Sequence, residues 1–212
     1  PKIKFGYKLT NSCTSDIKKI LGNKILFISD KGISKLKLYK DLITNLKKIG
    51  ICVSIYDDVD SDPTLINVEN CFNFAKKFKP TGILGFGGGS PMDVAKVTSL
   101  LIGSGQKLDE LWGVNNANGP RFPLCLIPTT SGTGSEVTPI SIITLNNFEK
   151  KGIVTDHLLP DISILDPYFT LNKPKQITAY SGIDAIVHAV EAYTSININN
   201  NYLSKILAIE AL

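Results

Sequence analysis

The chain has 212 residues, 43% of them hydrophobic, and 23 Lys and Arg against 19 Asp and Glu leave a net charge of +4. That length and apolar content suffice for one or two buried cores. The lysines are scattered among acids with no basic block, and no apolar run reaches bilayer length. A nucleic-acid surface and a membrane span are therefore both excluded as readings.

The opening, Pro1 to Phe5, carries no signal-peptide core, and the missing Met leads us to expect that the true start is absent. Cys13, Cys52, Cys71 and Cys125 are far apart with no C-x-x-C spacing; three sit in apolar or amphipathic contexts. Reduced thiols and a cytoplasmic setting are the expectation.

Lys24–Ser29 is an apolar run of buried-strand type, directly followed by Asp30. Ile33, Leu36, Tyr39, Ile43 and Leu46 then recur at helical spacing and predict one helix from Ile33 to Lys48. Ile51–Tyr56 reads as a second strand. Asp62-Pro63-Thr64 opens a helix over Leu65 to Phe78, with Pro63 placed in its first turn and Val68, Phe72 and Ala75 inward. Gly82–Phe86 is a third strand, ending in glycines. Ser104 to Arg121 reads as a polar loop in which Trp112 packs locally or walls a cleft. Pro123–Pro128, Ile140–Leu145, Ile153–Thr155 and Ile162–Leu165 read as further strands. Alternating strands and helices argue an α/β fold with a parallel sheet, which binds ligands at the carboxyl ends of its strands. From about Thr170 the pattern turns helical, with an Asn-rich break at 197–201, so the domains are expected at 1–168 and 169–212. The last helix has no stop signal before Leu212, and the chain is expected to be part of a longer polypeptide.

Five features carry chemistry. In Phe86-Gly87-Gly88-Gly89-Ser90-Pro91 the glycines let a ligand approach the backbone. A helix start there, with Ser90 as cap and Pro91 at the first position, makes an anion site suited to a pyrophosphate. It is neither a Walker A loop nor a strict G-x-G-x-x-G, and a plain tight turn is the competing reading. Pro128 to Thr138 follows a strand with Thr129, Thr130, Ser131 and Thr133, whose hydroxyls suit phosphate, ribose or carboxamide. Asp30 can accept from ribose hydroxyls or simply cap a helix. Lys150 or Lys151 can reach a ribose or phosphate, or lie solvated. Finally, Asp184 and His188 stand four apart in S-G-I-D-A-I-V-H-A-V-E-A-Y. One helical face would then carry a carboxylate and an imidazole, fit for a divalent cation or for a plain core contact. His157 is read as structural or exposed.

Gly87–Lys96, Pro128–Thr138 and Gly182–Tyr193 together resemble the iron-containing, or group III, alcohol dehydrogenases, which include lactaldehyde reductase and 1,3-propanediol dehydrogenase. The resemblance runs from about Phe5 to the end. It implies a Rossmann-like domain, then a helical domain, with NAD (NADP as the alternative) and metal in the cleft between. It also implies pyrophosphate on Gly87, Gly88, Gly89 and Ser90, and nicotinamide contacts from Thr129, Thr130 and Thr133. NAD selection falls to Asp30, and a further cofactor contact to Lys150, with Lys151 as a one-residue slip. Asp184 and His188 would supply two ligands to Fe²⁺, or to Zn²⁺. Members carry two further metal-binding histidines, which this sequence lacks. The expected activity is hydride transfer between NAD(H) and an alcohol or aldehyde, in a cytoplasmic homodimer without nucleic acid or membrane. The alternatives are a zinc glycerol dehydrogenase, a dehydroquinate-synthase-like lyase, or an inert nucleotide-binding fragment.

Overall fold

The computed structural model describes residues 1–145, 148–171, 173–196 and 200–212. The chain opens with β1 (Lys2–Phe5), α1 (Thr14–Leu21), β2 (Lys24–Asp30), α2 (Lys31–Leu36), α3 (Lys40–Lys48) and β3 (Cys52–Val59). It continues with α4 (Leu65–Phe78), β4 (Gly82–Gly87), α5 (Gly89–Ser104), β5 (Gly113–Val114) and β6 (Leu124–Pro128). Then come β7 (Ile140–Thr144), β8 (Lys150–Val154), β9 (Ile162–Leu165), α6 (Lys175–Thr194) and α7 (Tyr202–Ala211).

Six strands form one parallel sheet in the order β1-β9-β6-β4-β2-β3. Side chains alternate across it. Leu26, Ile28 and Ile83 face a core shared with α4 and α5, where Val68, Cys71, Met92 and Val97 are buried. Ile25, Phe27 and Phe86 face the other core, with Ile17 and Leu21 of α1 and Leu42 and Leu46 of α3. Each fully buried Leu or Ile contributes roughly 1.5–3 kcal/mol, which is why strands covered on both faces read as unbroken apolar runs. The expected α/β architecture is what the chain adopts. The chain leaves β2 toward β3 on one side and returns to β4 on the other. The carboxyl ends of β2 and β4 therefore flank a topological switch point, where such sheets open a crevice.

Several expectations need correction. The strand preceding Asp30 is the second, because β1 lies at the sheet edge with exposed residues that give no apolar pattern. The helix expected over Ile33–Lys48 is two: Lys37 adopts a left-handed conformation (φ 54°, ψ 28°) and closes α2. Ser34 bridges this corner, donating to Asp57 Oδ2 (2.5 Å) and lying 2.6 Å from the Tyr39 hydroxyl. Pro63 precedes α4 instead of lying in its first turn; Thr64 is the cap, in a reciprocal box with Asn67. β7 and β8 leave the main sheet and pair antiparallel in a small sheet with β5. The expected break at 197–201 falls largely on residues 197–199, outside the described residues. Helices follow β9, and α6 and α7 pack on each other. No helix among the described residues is long and apolar enough to cross a membrane.

Candidate active site

Two adjoining cavities open at the carboxyl end of the sheet. The first, about 550 Å³, has Asp30, Gly88, Ser90, Thr129 and Thr130 in its wall. The second, about 510 Å³, includes Gly89, Ser90, Thr133, Lys150, Asp184 and His188. Ser90 and Ser61 belong to both. The glycine turn thus lies between a cavity at the switch point and a second one, and α6 reaches both, with Ile177 in the first and Asp184 and His188 in the second.

The helix begins two residues earlier than expected. Gly88 is the cap of α5, Gly89 its first residue, and Ser90 and Pro91 its second and third. Ser90 does not cap, because its hydroxyl donates to the Ser61 carbonyl. The first amides of α5 thus remain without side-chain acceptors, as an anion-binding helix start requires. Gly87 lies behind the cavities at φ 149°, and a Cβ there would sit 2.8 Å from Pro91 Cγ. Gly88 differs: a Cβ would find only Thr130, at 3.6 Å, and would stand in the cradle. A bound pyrophosphate fits that cradle, since backbone can approach it where no side chain intrudes.

Thr129 donates its backbone N–H to the Gly87 carbonyl (2.8 Å), which fixes the threonine-rich loop beside the turn. Thr133 packs on Gly89, and Gly132 is pressed against the Ser181 backbone of α6. Asp30 caps α2, its Oδ1 accepting from the Ile33 N–H (2.9 Å), and the residue also lines the first cavity. The two lysines part company. Lys150 Nζ pairs with Asp62 (2.8 Å) in the second cavity, whereas Lys151 Nζ lies 5.7 Å from the Trp112 ring centroid. Trp112 packs against the core as an anchor, and His157 is exposed away from both cavities.

Asp184 Oδ1 and His188 Nε2 are 3.6 Å apart on one face of α6, and both side chains are about half exposed. Two donors about 2.1 Å from one divalent ion stand about 3–3.5 Å apart, so the pair fits such an ion with little movement. Among the described residues no group of three or more His, Cys, Asp or Glu could hold a metal. A divalent ion held there would need further donors, and carboxylate with imidazole is a pairing that suits iron or zinc.

A buried polar cluster beneath the threonine-rich loop escaped the sequence reading. Lys96 is fully buried, and its ammonium donates to Ser135 Oγ (2.9 Å), Thr138 Oγ1 (3.3 Å) and the Ile140 carbonyl (2.8 Å). Asp93 lies 3.8 Å from it, accepting from Ser135 Oγ (2.5 Å) and the Ile142 N–H (3.0 Å). Burial pushes the Lys96 ammonium down to about 8, partly offset by the Asp93 and Glu136 carboxylates. Burial likewise raises the Asp93 carboxyl, against the pull of Lys96. The signal was available: a lysine in the otherwise apolar α5, three residues after an aspartate.

A doubly wound α/β protein with a cleft at the switch point and a carboxylate–imidazole pair on a following helix is a narrow class. The chain belongs to the iron-containing alcohol dehydrogenase family, whose sequence pattern matches residues 1–167. It is 39% identical over 196 residues to long-chain-alcohol dehydrogenase 1 of Geobacillus thermodenitrificans, covering 91% of this chain and 49% of that protein. The crystal structure of 1,3-propanediol oxidoreductase superposes with a TM-score of 0.92 at 31% identity, over 99% of this chain and 55% of that one. NADH-dependent butanol dehydrogenase A of Thermotoga maritima superposes with a TM-score of 0.86 at 32% identity, over 98% and 52%. The chain spans about half the length of the curated relatives it matches.

Proposed function

We propose that these residues form the cofactor-binding half, and the first helices of the metal-binding half, of an NAD-dependent alcohol dehydrogenase or aldehyde reductase. The domains meet near residues 168 and 169. The observation that carries this reading is the second cavity, in which the glycine turn and Thr133 share one wall system with Asp184 and His188. When bound, nicotinamide supplies the hydride acceptor or donor, and a divalent cation supplies Lewis acidity at the substrate oxygen.

The chain's own groups do the positioning. The Gly88 and Gly89 backbone and the start of α5 hold the pyrophosphate, with a partial positive charge at the helix start. Thr129, Thr130 and Thr133 orient the nicotinamide half toward α6. Asp30 accepts from ribose hydroxyls at the switch point and repels a 2′-phosphate, which favours NAD over NADP. Lys150, steered by Asp62, contacts the cofactor from the far side of the second cavity. Asp184 and His188 hold the cation, with remaining donors from outside these residues or from water. Iron is favoured by family membership, and NAD by the NADH-dependent relative. The relatives' names include long-chain alcohols, propanediol and butanol, which supports an alcohol or its aldehyde as the substrate class.

The test is alcohol-dependent NADH formation under anaerobic conditions with Fe²⁺ or Zn²⁺ added, on the unsubstituted protein and on Asp184→Ala. The expected result is loss of turnover and of bound metal in the variant, with NADH binding retained. Unchanged metal content in Asp184→Ala would refute the ligand assignment. NADH binding without turnover in either protein would favour an inert nucleotide-binding chain.

A further inference from the structure

Two lysines that the motifs do not explain line the first cavity, Lys31 and Lys173, and Lys31 is already paired with Asp58. Lys173 lies just before α6 and lines the first cavity together with Gly88, Thr129, Thr130 and Phe169. No carboxylate pairs with it among the described residues. Its recorded contact is a long hydrogen bond from Nζ to Ser181 Oγ, at 3.4 Å. That contact locates the ammonium. Ser181 is the residue against which Gly132 of the threonine-rich loop is pressed, so Lys173 sits where that loop meets α6. Thr130, two residues before Gly132 in that loop, is Gly88's neighbour, and all three of Lys173, Thr130 and Gly88 line the one cavity.

We propose that Lys173 is a phosphate ligand that closes the pyrophosphate cradle from the helical side, opposite the backbone amides of the glycine turn. This deepens the dinucleotide reading and rests on it. The chemistry is direct. An ammonium partly withdrawn from water without a counterion is unfavourable, and an anion between it and the turn removes that cost. Burial also holds the Lys173 ammonium below its ordinary range, as expected for a cation lacking its partner. Lys150 cannot take this role, because it lies in the second cavity and is already paired with Asp62. A cation on the α6 side and amides on the sheet side would together make dinucleotide binding tie the two walls.

The test uses NADH fluorescence titration of the purified protein, with ADP and adenosine as competitors, on Lys173→Met and Lys173→Arg. Lys173→Met is expected to weaken NADH and ADP about tenfold, the scale of one charged hydrogen bond. Adenosine, which has no phosphate, should compete equally well in both proteins. The salt dependence of NADH affinity should flatten in the Met variant, and Lys173→Arg should recover most of the affinity. Equal ADP affinity in the Met variant overturns the proposal, as does an equal loss for adenosine, which would make Lys173 a wall residue only. If the unsubstituted protein binds neither NADH nor ADP, the dinucleotide reading itself fails and this contact with it.

Discussion

The cleft's sheet-side wall rises from strands whose apolar side chains have no accessible surface, such as Phe27, Ile28 and Phe86. Its helical wall is α6, in which only Ala189 is buried while Ile183, Ile186, Val187 and Val190 are exposed. One wall is over-determined by packing on both faces of a sheet. The other holds the Asp184–His188 pair on a helix that the rest of the described residues barely cover. The difference teaches where each kind of site residue gets its position. Gly88 and Thr129 are placed by the core beneath them, whereas Asp184 and His188 ride on a helix held at Ser181 by the threonine-rich loop and along its length by α7. Removing a support under the first wall should therefore cost stability, and altering the second should not.

The largest effect is expected at Lys96. Replacing it with Met leaves Asp93 buried without its countercharge, at a cost of about 3–5 kcal/mol. Urea unfolding midpoints measure this, and a loss below 1 kcal/mol would break the comparison by showing the threonine-rich loop is anchored elsewhere. The pH dependence sharpens it. Lys96 titrates at about 8 when folded and 10.5 when unfolded, so between these values the unfolded chain holds more protons. Stability from this group rises with pH in that window. The thiols of Cys71 and Cys125, raised by burial from 9.0, act in the opposite sense above pH 9. The comparison is therefore cleanest between pH 8 and 9, where the unsubstituted protein should gain stability relative to Lys96→Met.

An intermediate effect separates two adjacent glycines. Gly87→Ala puts a methyl 2.8 Å from Pro91 Cγ at a backbone angle of 149° and should destabilise by about 1–3 kcal/mol. Gly88→Ala, in ordinary backbone geometry and ordinary contact with Thr130, should change stability little. It should instead weaken NADH binding roughly tenfold or more, because its methyl stands in the cradle. Denaturation and NADH titration on both variants decide it. The reverse pattern would mean that Gly88 is the structural glycine.

How much of this was legible depended on sequence distance. The glycine turn, the threonine-rich loop and the 184/188 pair are each local, and local spacing determines which way they face once the strands are placed. Asp30 and Gly87 came together because two apolar strands are neighbours in the sheet. By contrast, Lys96 finds Ser135, Thr138 and the Ile140 carbonyl across a crossover, and no spacing encodes that meeting. The corner at Lys37 was hidden because the apolar stripe continues through it. The helix start slipped by two residues because Ser90 spends its hydroxyl on Ser61, a partner far away in the chain.

The smallest effect belongs to the second wall. Asp184→Ala and His188→Ala should each change stability by no more than about 0.5 kcal/mol in metal-free buffer. Both side chains are about half exposed, their facing atoms are 3.6 Å apart, and neither fills core volume. Thermal melts of the two variants with chelator present check this. Adding Fe²⁺ or Zn²⁺ should then raise the melting temperature of the unsubstituted protein and leave both variants unmoved, because a ligand stabilises only the folded state that binds it. A large loss in chelator would mean that the pair supports the fold itself. Its position would then come from packing after all, and the contrast between the two walls would disappear.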